Sequence, residues 1–248
     1  MTLLDFAKGF IESFIKPYET IIIFDCYNDN SIKSHERKRR IKGIIPHVYT
    51  LGHDTVLPTR EVVMKCEQNK KSLIKFICDI DHNQPMLRLI GEGSEFSHEE
   101  ADVSIISYIL KIRHKKPHIQ ILTDDTDIFL LLLYFCWTFK LSAYTTMKKY
   151  DGKVIDITAT VEKLGDKCLD LMPAHALPGC TSVSYPFGKG KLTTLNLVLN
   201  SKLKLRSFSD HLAQEDEWVI EGLQFLSNLY GEMGSRSEIT VRSEVFYI

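Results

Sequence analysis

A dense acidic group in the 248-residue chain is "TDDTD", where Asp124, Asp125 and Asp127 stand between the apolar runs "HIQIL" and "IFLLLLYFCW". Other carboxylates occupy comparable points. Asp25 follows "TIIIF", Glu92 follows "MLRLI", and Glu99, Glu100 and Asp102 fall within "SHEEAD". Carboxylates gathered within a few ångströms do not all stay ionised unless a cation neutralises them. Their hard oxygens suit Mg²⁺ or Mn²⁺, and no Cys/His set with zinc spacing accompanies them. A dispersed carboxylate cage of this kind, binding ions together with substrate phosphates, is the setting for two-metal hydrolysis. There one ion activates a water and the other stabilises the leaving oxygen.

Each acid also has a plainer role open to it. A strand-to-helix turn favours Asp or Thr as its N-cap, although three aspartates in so short a stretch exceed what capping requires. Ser97 and Glu100 have the spacing of a capping box, and acids in a first helical turn favour the helix dipole. Asp102 lies deeper in the same segment, and Asp25 alone after a strand fits either reading.

Positive charge is concentrated in two places. Lys33, Arg37, Lys38, Arg39, Arg40 and Lys42 surround a single acid, Glu36. Such a cluster is ordinarily a solvated face, but beside a metal-binding carboxylate group it suits a phosphodiester, whose backbone cations grip. In "FGKGK", Gly188, Lys189, Gly190 and Lys191 precede a helix, where glycines let backbone N–H groups approach a phosphate. The spacing is not that of a Walker A loop.

The elements that must position these groups alternate. "TIIIF", "MLRLI" and "HIQIL" read as strands, the first and third buried, and "KLSAYTT" and "KVIDI" are further strand candidates. Helical spacing marks "LLDFAKGFIESFIK" up to Pro17, residues 59–80, the segment opening at Ser97, and "DIFLLLLYFCW". This order predicts an α/β fold with a mainly parallel central sheet flanked by helices. The carboxylates would then lie beyond the carboxyl ends of the strands, where such sheets place their sites. From "TATVEKLG" onward the pattern is helical.

Hydrophobic residues make up 44% and charged residues 25%, the balance of a globular domain. The formal net charge of −1 gives no global pull toward nucleic acid or membrane, so any such pull is local. The six cysteines form no CxxC pair and read as reduced thiols of an intracellular protein. The first residues lack the basic region of a signal peptide, and the run from Ile128 to Trp137 falls short of the roughly 20 residues that span a bilayer. "KSHERKRRIK" favours a nuclear over a cytoplasmic location.

Taken in order, "IIIFDCY…K…ERKRR", "HEEAD", "LTDDTDIFLLL" and "HALPGC…FGKGK" resemble the flap-endonuclease/XPG branch of the PIN-like nucleases, and within it a group of uncharacterised animal proteins. The resemblance covers about residues 20–195. It implies a PIN-like nuclease domain over residues 1–195 and a helical C-terminal extension over 196–248. It implies that Asp25, Glu100, Asp102, Asp125 and Asp127 are metal ligands and catalytic residues for Mg²⁺ or Mn²⁺, with Asp124 left as a solvent-facing turn residue. Lys33, Arg37 and Arg40 would grip the scissile phosphate region. Gly188, Lys189, Gly190 and Lys191 would hold nucleic-acid backbone, DNA before RNA. The implied activity is structure-specific phosphodiester hydrolysis. Two departures weaken it. Thr181 stands where the family has an aspartate, and a hydroxyl is a poorer Mg²⁺ ligand, so one of two metal sites would be weakened. A further ligand on a strand before "TIIIF" has no counterpart here, and Cys26 replaces a glycine. The alternative is a catalytically degenerate module that binds nucleic acid or protein. A phosphatase using an aspartate nucleophile fits less well, because Phe129 breaks its pattern.

Overall fold

The computed structural model describes residues 1–26, 47–56, 59–80, 83–96, 98, 100–179, 186, 188–210 and 212–231. The chain divides into two compact units, Met1–Leu110 and Lys111–Ile248. A continuous helix runs through residues 195 and 196.

In the first unit, helix α1 (Leu3–Ser13) opens with a reciprocal cap. The Thr2 hydroxyl accepts the Asp5 N–H at 3.1 Å, and the Asp5 carboxylate accepts the Thr2 N–H at 3.0 Å. These bonds hold the Asp5 carboxyl below its usual range. Leu3, Ala7 and Ile11 repeat every fourth residue and form the buried stripe of α1. Strand β1 (Thr20–Ile23) pairs in parallel with β2 (Leu87–Ile90), placing Ile22 opposite Leu89. Between them lie α2 (Arg60–Lys65) and α3 (Glu67–Asp79). The expected single helix over 59–80 is split because Cys66 takes an extended backbone, φ −104° and ψ 121°. Ala7, Ile11, Ile77 of α3 and Leu87 of β2 form one core, with Phe6, Phe10, Phe14 and Phe24 packed against it.

Two contacts fix α3. Asn69 is fully buried; its Oδ1 accepts the Tyr49 N–H and its Nδ2 donates to the His47 carbonyl, both at 2.9 Å. Gly91, just after β2, runs against the helix. A Cβ there would lie 3.0 Å from Cys78 Sγ and 3.6 Å from Ile74, so a side chain would push the end of the strand off α3. Helix α4 (Ala101–Ile112) then buries Ser104, Ile106, Tyr108 and Ile109. It begins four residues later than the segment that was expected to open at Ser97.

In the second unit, β3 (His118–Leu122) pairs in parallel with β4 (Tyr144–Lys148), and β4 pairs antiparallel with β5 (Val154–Asp156). The crossover between the parallel strands is α5 (Thr126–Phe139), which buries Ile128, Leu130, Leu132, Leu133 and Cys136. Helix α6 (Ile157–Leu164) is capped by Asp156, whose carboxylate accepts the Ala159 N–H at 2.8 Å. A 3₁₀ turn leads into α7 (Cys168–Ala176), followed by α8 (Lys191–Asn200) and α9 (Glu215–Tyr230). Helix α7 packs against both α5 and α8. Its Asp170 is almost fully buried, and burial pushes the carboxyl up, opposed by the Leu205 N–H that it accepts at 2.8 Å.

The fold is thus mixed α/β, with parallel pairing in both units and an antiparallel strand in the second. Burial of the strands differs from expectation. β1 is half-buried along its length, since it has one described partner strand. β3 alternates, with Ile119 and Ile121 inside and His118, Gln120 and Leu122 outside. Among the described residues no helix is long and apolar enough to cross a membrane.

Candidate functional site

Asp25 sits two residues beyond β1, exposed, and its Oδ1 accepts the backbone N–H of Ala101 at 2.9 Å. Ala101 is the first residue of α4, so Asp25 caps that helix from a distant point in the chain. The four leading N–H groups of a helix have no internal partner, and a carboxylate placed there satisfies one while meeting the positive end of the dipole. Glu100 and Asp102 flank Ala101. The three carboxylates that the sequence assigned to this part of the site are therefore brought to one helix opening.

The local bonds of Glu100 and Asp102 differ from a capping box. Glu100 precedes the helix instead of standing at its third position, and Ser97 and Glu99 lie outside the described residues. The Glu100 carbonyl accepts from the Ser104 hydroxyl at 3.3 Å, and the Ser104 oxygen accepts the His98 N–H at 3.1 Å. Asp102 Oδ1 accepts the N–H of Val103 at 2.9 Å.

In the second unit the aspartates follow β3 as expected, and each has its own work. Asp124 is exposed, yet its Oδ1 accepts the Tyr150 N–H at 3.2 Å and so ties the strand end to the turn between β4 and β5. Asp125 is the N-cap of α5, with its Oδ1 accepting the Asp127 N–H at 2.8 Å. The plainer role is thus realised at Asp125, through one of its two oxygens.

Asp127, in the first turn of α5, faces two basic groups. His175 Nε2 lies 2.6 Å from Asp127 Oδ1, and Lys191 Nζ lies 2.7 Å from the same Nε2 and 3.7 Å from Oδ1. One ring nitrogen cannot both donate to the carboxylate and accept from the ammonium. His175 Nδ1 is buried and has no hydrogen-bond partner among the described residues. A proton there would be a buried, unsatisfied donor, costing about 1–3 kcal/mol. The favoured tautomer carries its proton on Nε2 and donates it to Asp127, and Lys191 then acts on Asp127 as a charge.

Lys191 reaches this position because α7 and α8 are locked together. The Thr194 hydroxyl donates to the Ala174 carbonyl at 2.8 Å, one residue before His175. In the turn before α8, Gly188 has a φ of +68°, which a side chain resists, and Gly190 is the helix N-cap. Lys189 places its Nζ 5.4 Å from the centre of the Tyr230 ring. Of the four residues expected to hold nucleic acid here, Lys191 is turned toward Asp127. Lys33, Arg37, Arg40 and Thr181 lie outside the described residues.

His175 carried no assigned role in the sequence reading, although it opens the segment "HALPGC" quoted there. Its place at the head of a motif that carries the resemblance was the available signal.

Among the described residues, no group of three or more His, Cys, Asp or Glu side chains is gathered closely enough to hold a metal ion. Carboxylate oxygens are hard donors, the kind that Mg²⁺ and Mn²⁺ take in preference to softer ions. Comparison with protein-family models, curated proteins and solved structures gave no match.

Proposed function

We propose that the chain is a PIN-like, metal-dependent nuclease of the flap-endonuclease type that hydrolyses phosphodiester bonds in DNA or RNA. Asp25, Glu100 and Asp102 in the first unit and Asp125 and Asp127 in the second are its proposed Mg²⁺ or Mn²⁺ ligands. The observation that carries this reading is the bond from the Ala101 N–H to Asp25. It brings the carboxylate after β1 to the opening of α4, with Glu100 just before that helix and Asp102 in its first turn, a placement that capping alone does not require of three acids. A bound divalent ion would supply Lewis-acid stabilisation and a nucleophile at neutral pH. Backbone N–H groups hold Asp25, Asp102 and Asp125 in place, and His175 holds Asp127. Nucleic acid is the proposed partner, DNA before RNA, and the proposed location is intracellular, nuclear before cytoplasmic.

The test is cleavage of branched and single-stranded DNA and RNA with Mn²⁺, comparing wild type with Asp125→Asn. Asparagine caps a helix as well as aspartate does, so the substitution removes charge and keeps the cap. Loss of cleavage by at least about a hundredfold is expected for a residue of the hydrolytic centre. An unchanged rate would sink the assignment.

A second reading has its own observation. Asp127 already faces the Lys191 ammonium and the His175 N–H, so protein groups offset its charge without a metal. Thr181 in place of a carboxylate points the same way. A catalytically degenerate module that retains nucleic acid would then show no Mn²⁺ heat at millimolar concentration while still binding oligonucleotides.

A further inference from the structure

Beside Asp25 the first unit has a cleft of about 550 Å³. One face of α3 forms its wall, through Gln68, Lys71, Ser72, Ile74, Lys75, Cys78 and Asp79. These positions recur at intervals of three and four residues and so share one side of the helix. Opposite them stand Asp25 and Cys26 at the end of β1 and Glu92 beyond the end of β2. The volume falls within the range of about 300–1,000 Å³ that holds a small molecule, and a single nucleotide unit is of that size.

The lining is divided by chemistry. Lys71 and Lys75 lie one helical turn apart, with the amide of Gln68 and the hydroxyl of Ser72 beside them. Ile74 and Cys78 make an adjacent apolar strip. Lys71 is paired with Glu92 at 3.1 Å, a partly exposed pair in which Glu92 keeps 58% of its side-chain surface. Such pairs are worth at most about 1 kcal/mol and yield readily to a better anion. Lys75 makes no ion pair among the described residues.

We propose that Lys71 and Lys75 form a phosphate grip for one nucleotide of a single-stranded nucleic acid. Its phosphate lies between the two ammonium groups, and its base or sugar rests against Ile74 and Cys78. Glu92 is the internal competitor that occupies Lys71 when the ligand is absent. The proposal rests on the nuclease-like reading for the identity of the ligand as nucleic acid, and it places contacts on α3 in addition to those expected of the basic segment 33–42 and the "FGKGK" turn.

The test is binding of a short, fluorescein-labelled single-stranded oligothymidylate, read by fluorescence anisotropy in EDTA at low salt. Replacing both lysines, Lys71→Gln with Lys75→Gln, is expected to weaken binding by about tenfold or more and to flatten the salt dependence, by a slope of about 0.7 per lost phosphate contact. Glu92→Gln is expected to act in the opposite direction, tightening binding severalfold by freeing Lys71. This second variant keeps the test sharp if the double variant folds poorly. Competition by thymidine monophosphate, compared with an unlabelled oligothymidylate, separates capture of a free nucleotide from capture of a strand. Displacement by the mononucleotide alone would overturn the assignment to a strand. Wild-type affinity in the double variant, or weaker binding in Glu92→Gln, would overturn the grip itself. Because EDTA is present throughout, failure of the nuclease reading appears as absent cleavage and leaves this measurement unaffected.

Discussion

The two units hold their strand-end carboxylates against different partners. In the first, Asp25 accepts a backbone N–H at the opening of α4. In the second, Asp127 faces an imidazole N–H and an ammonium group. A backbone donor orients a carboxylate without cancelling its formal charge, whereas a lysine 3.7 Å away offsets that charge directly. The same residue type, after the same kind of parallel strand, is therefore oriented by a backbone donor in one place and paired with a cationic side chain in the other. Asp125, two residues before Asp127, resembles Asp25, since its described partner is again a backbone N–H.

Substitutions that exchange these two situations should have graded effects. The largest is expected from His175→Ala. It removes a mostly buried ring and a hydrogen bond to a charged group, so unfolding by denaturant should show a loss of about 2 kcal/mol. Asp25→Ala follows, at about 1 kcal/mol, because the α4 opening loses its acceptor. Asp25→Asn keeps an acceptor oxygen and should cost a few tenths of a kcal/mol while weakening Mn²⁺ binding. Equal destabilisation by Ala and Asn would mean that the charge of Asp25, not the bond to Ala101, supports the helix.

Lys191→Met is smaller still in stability, at roughly 0.5 kcal/mol, since both members of its pair are about half exposed. Its informative effect is on the metal. Removing the ammonium should make Asp127 a better ligand and strengthen Mn²⁺ binding measured by calorimetry. Weaker binding would show that Lys191 supports the site instead of competing with a metal for it.

The smallest expected effect compares one helix cap from each unit. Asp5 and Asp156 both sit below the usual carboxyl value of 3.8. Asp5 is lowered by its hydrogen bonds to Thr2, and Asp156 by the Ala159 N–H and the Tyr144 hydroxyl. A depressed folded-state value contributes stability that is present above 3.8 and is lost as pH falls through the lower folded value. Melting curves taken down through that window should show a shallower acid decline for Asp156→Asn and for Asp5→Asn than for wild type. An unaltered decline in either would remove that cap from the acid response.

The strands were legible because "TIIIF", "MLRLI" and "HIQIL" are short apolar runs rich in Ile and bounded by charge or turns. Their burial was less so. The alternation of Ile119 and Ile121 with His118 and Gln120 is a period-two signal, and reading the segment as buried throughout overlooked it. The break at Cys66 has no proline or glycine to announce it. Asn69 is held by backbone about twenty residues earlier, which local pattern cannot reveal. At the site, the positions of Asp25 and of the aspartates after β3 could be read from where apolar runs end. The contact of Asp127 with His175 spans 48 residues, and Asp25 meets Ala101 across 76. Which carboxylate receives a backbone donor and which a cation is decided by those long-range meetings.

Calorimetric titration of Mn²⁺ into wild type and Asp25→Asn tests the central claim most directly. Wild type is expected to bind Mn²⁺, and the Asn variant, equally folded, to bind it more weakly. Equal binding by the two proteins, or none by wild type, would contradict the assignment of these carboxylates to a metal.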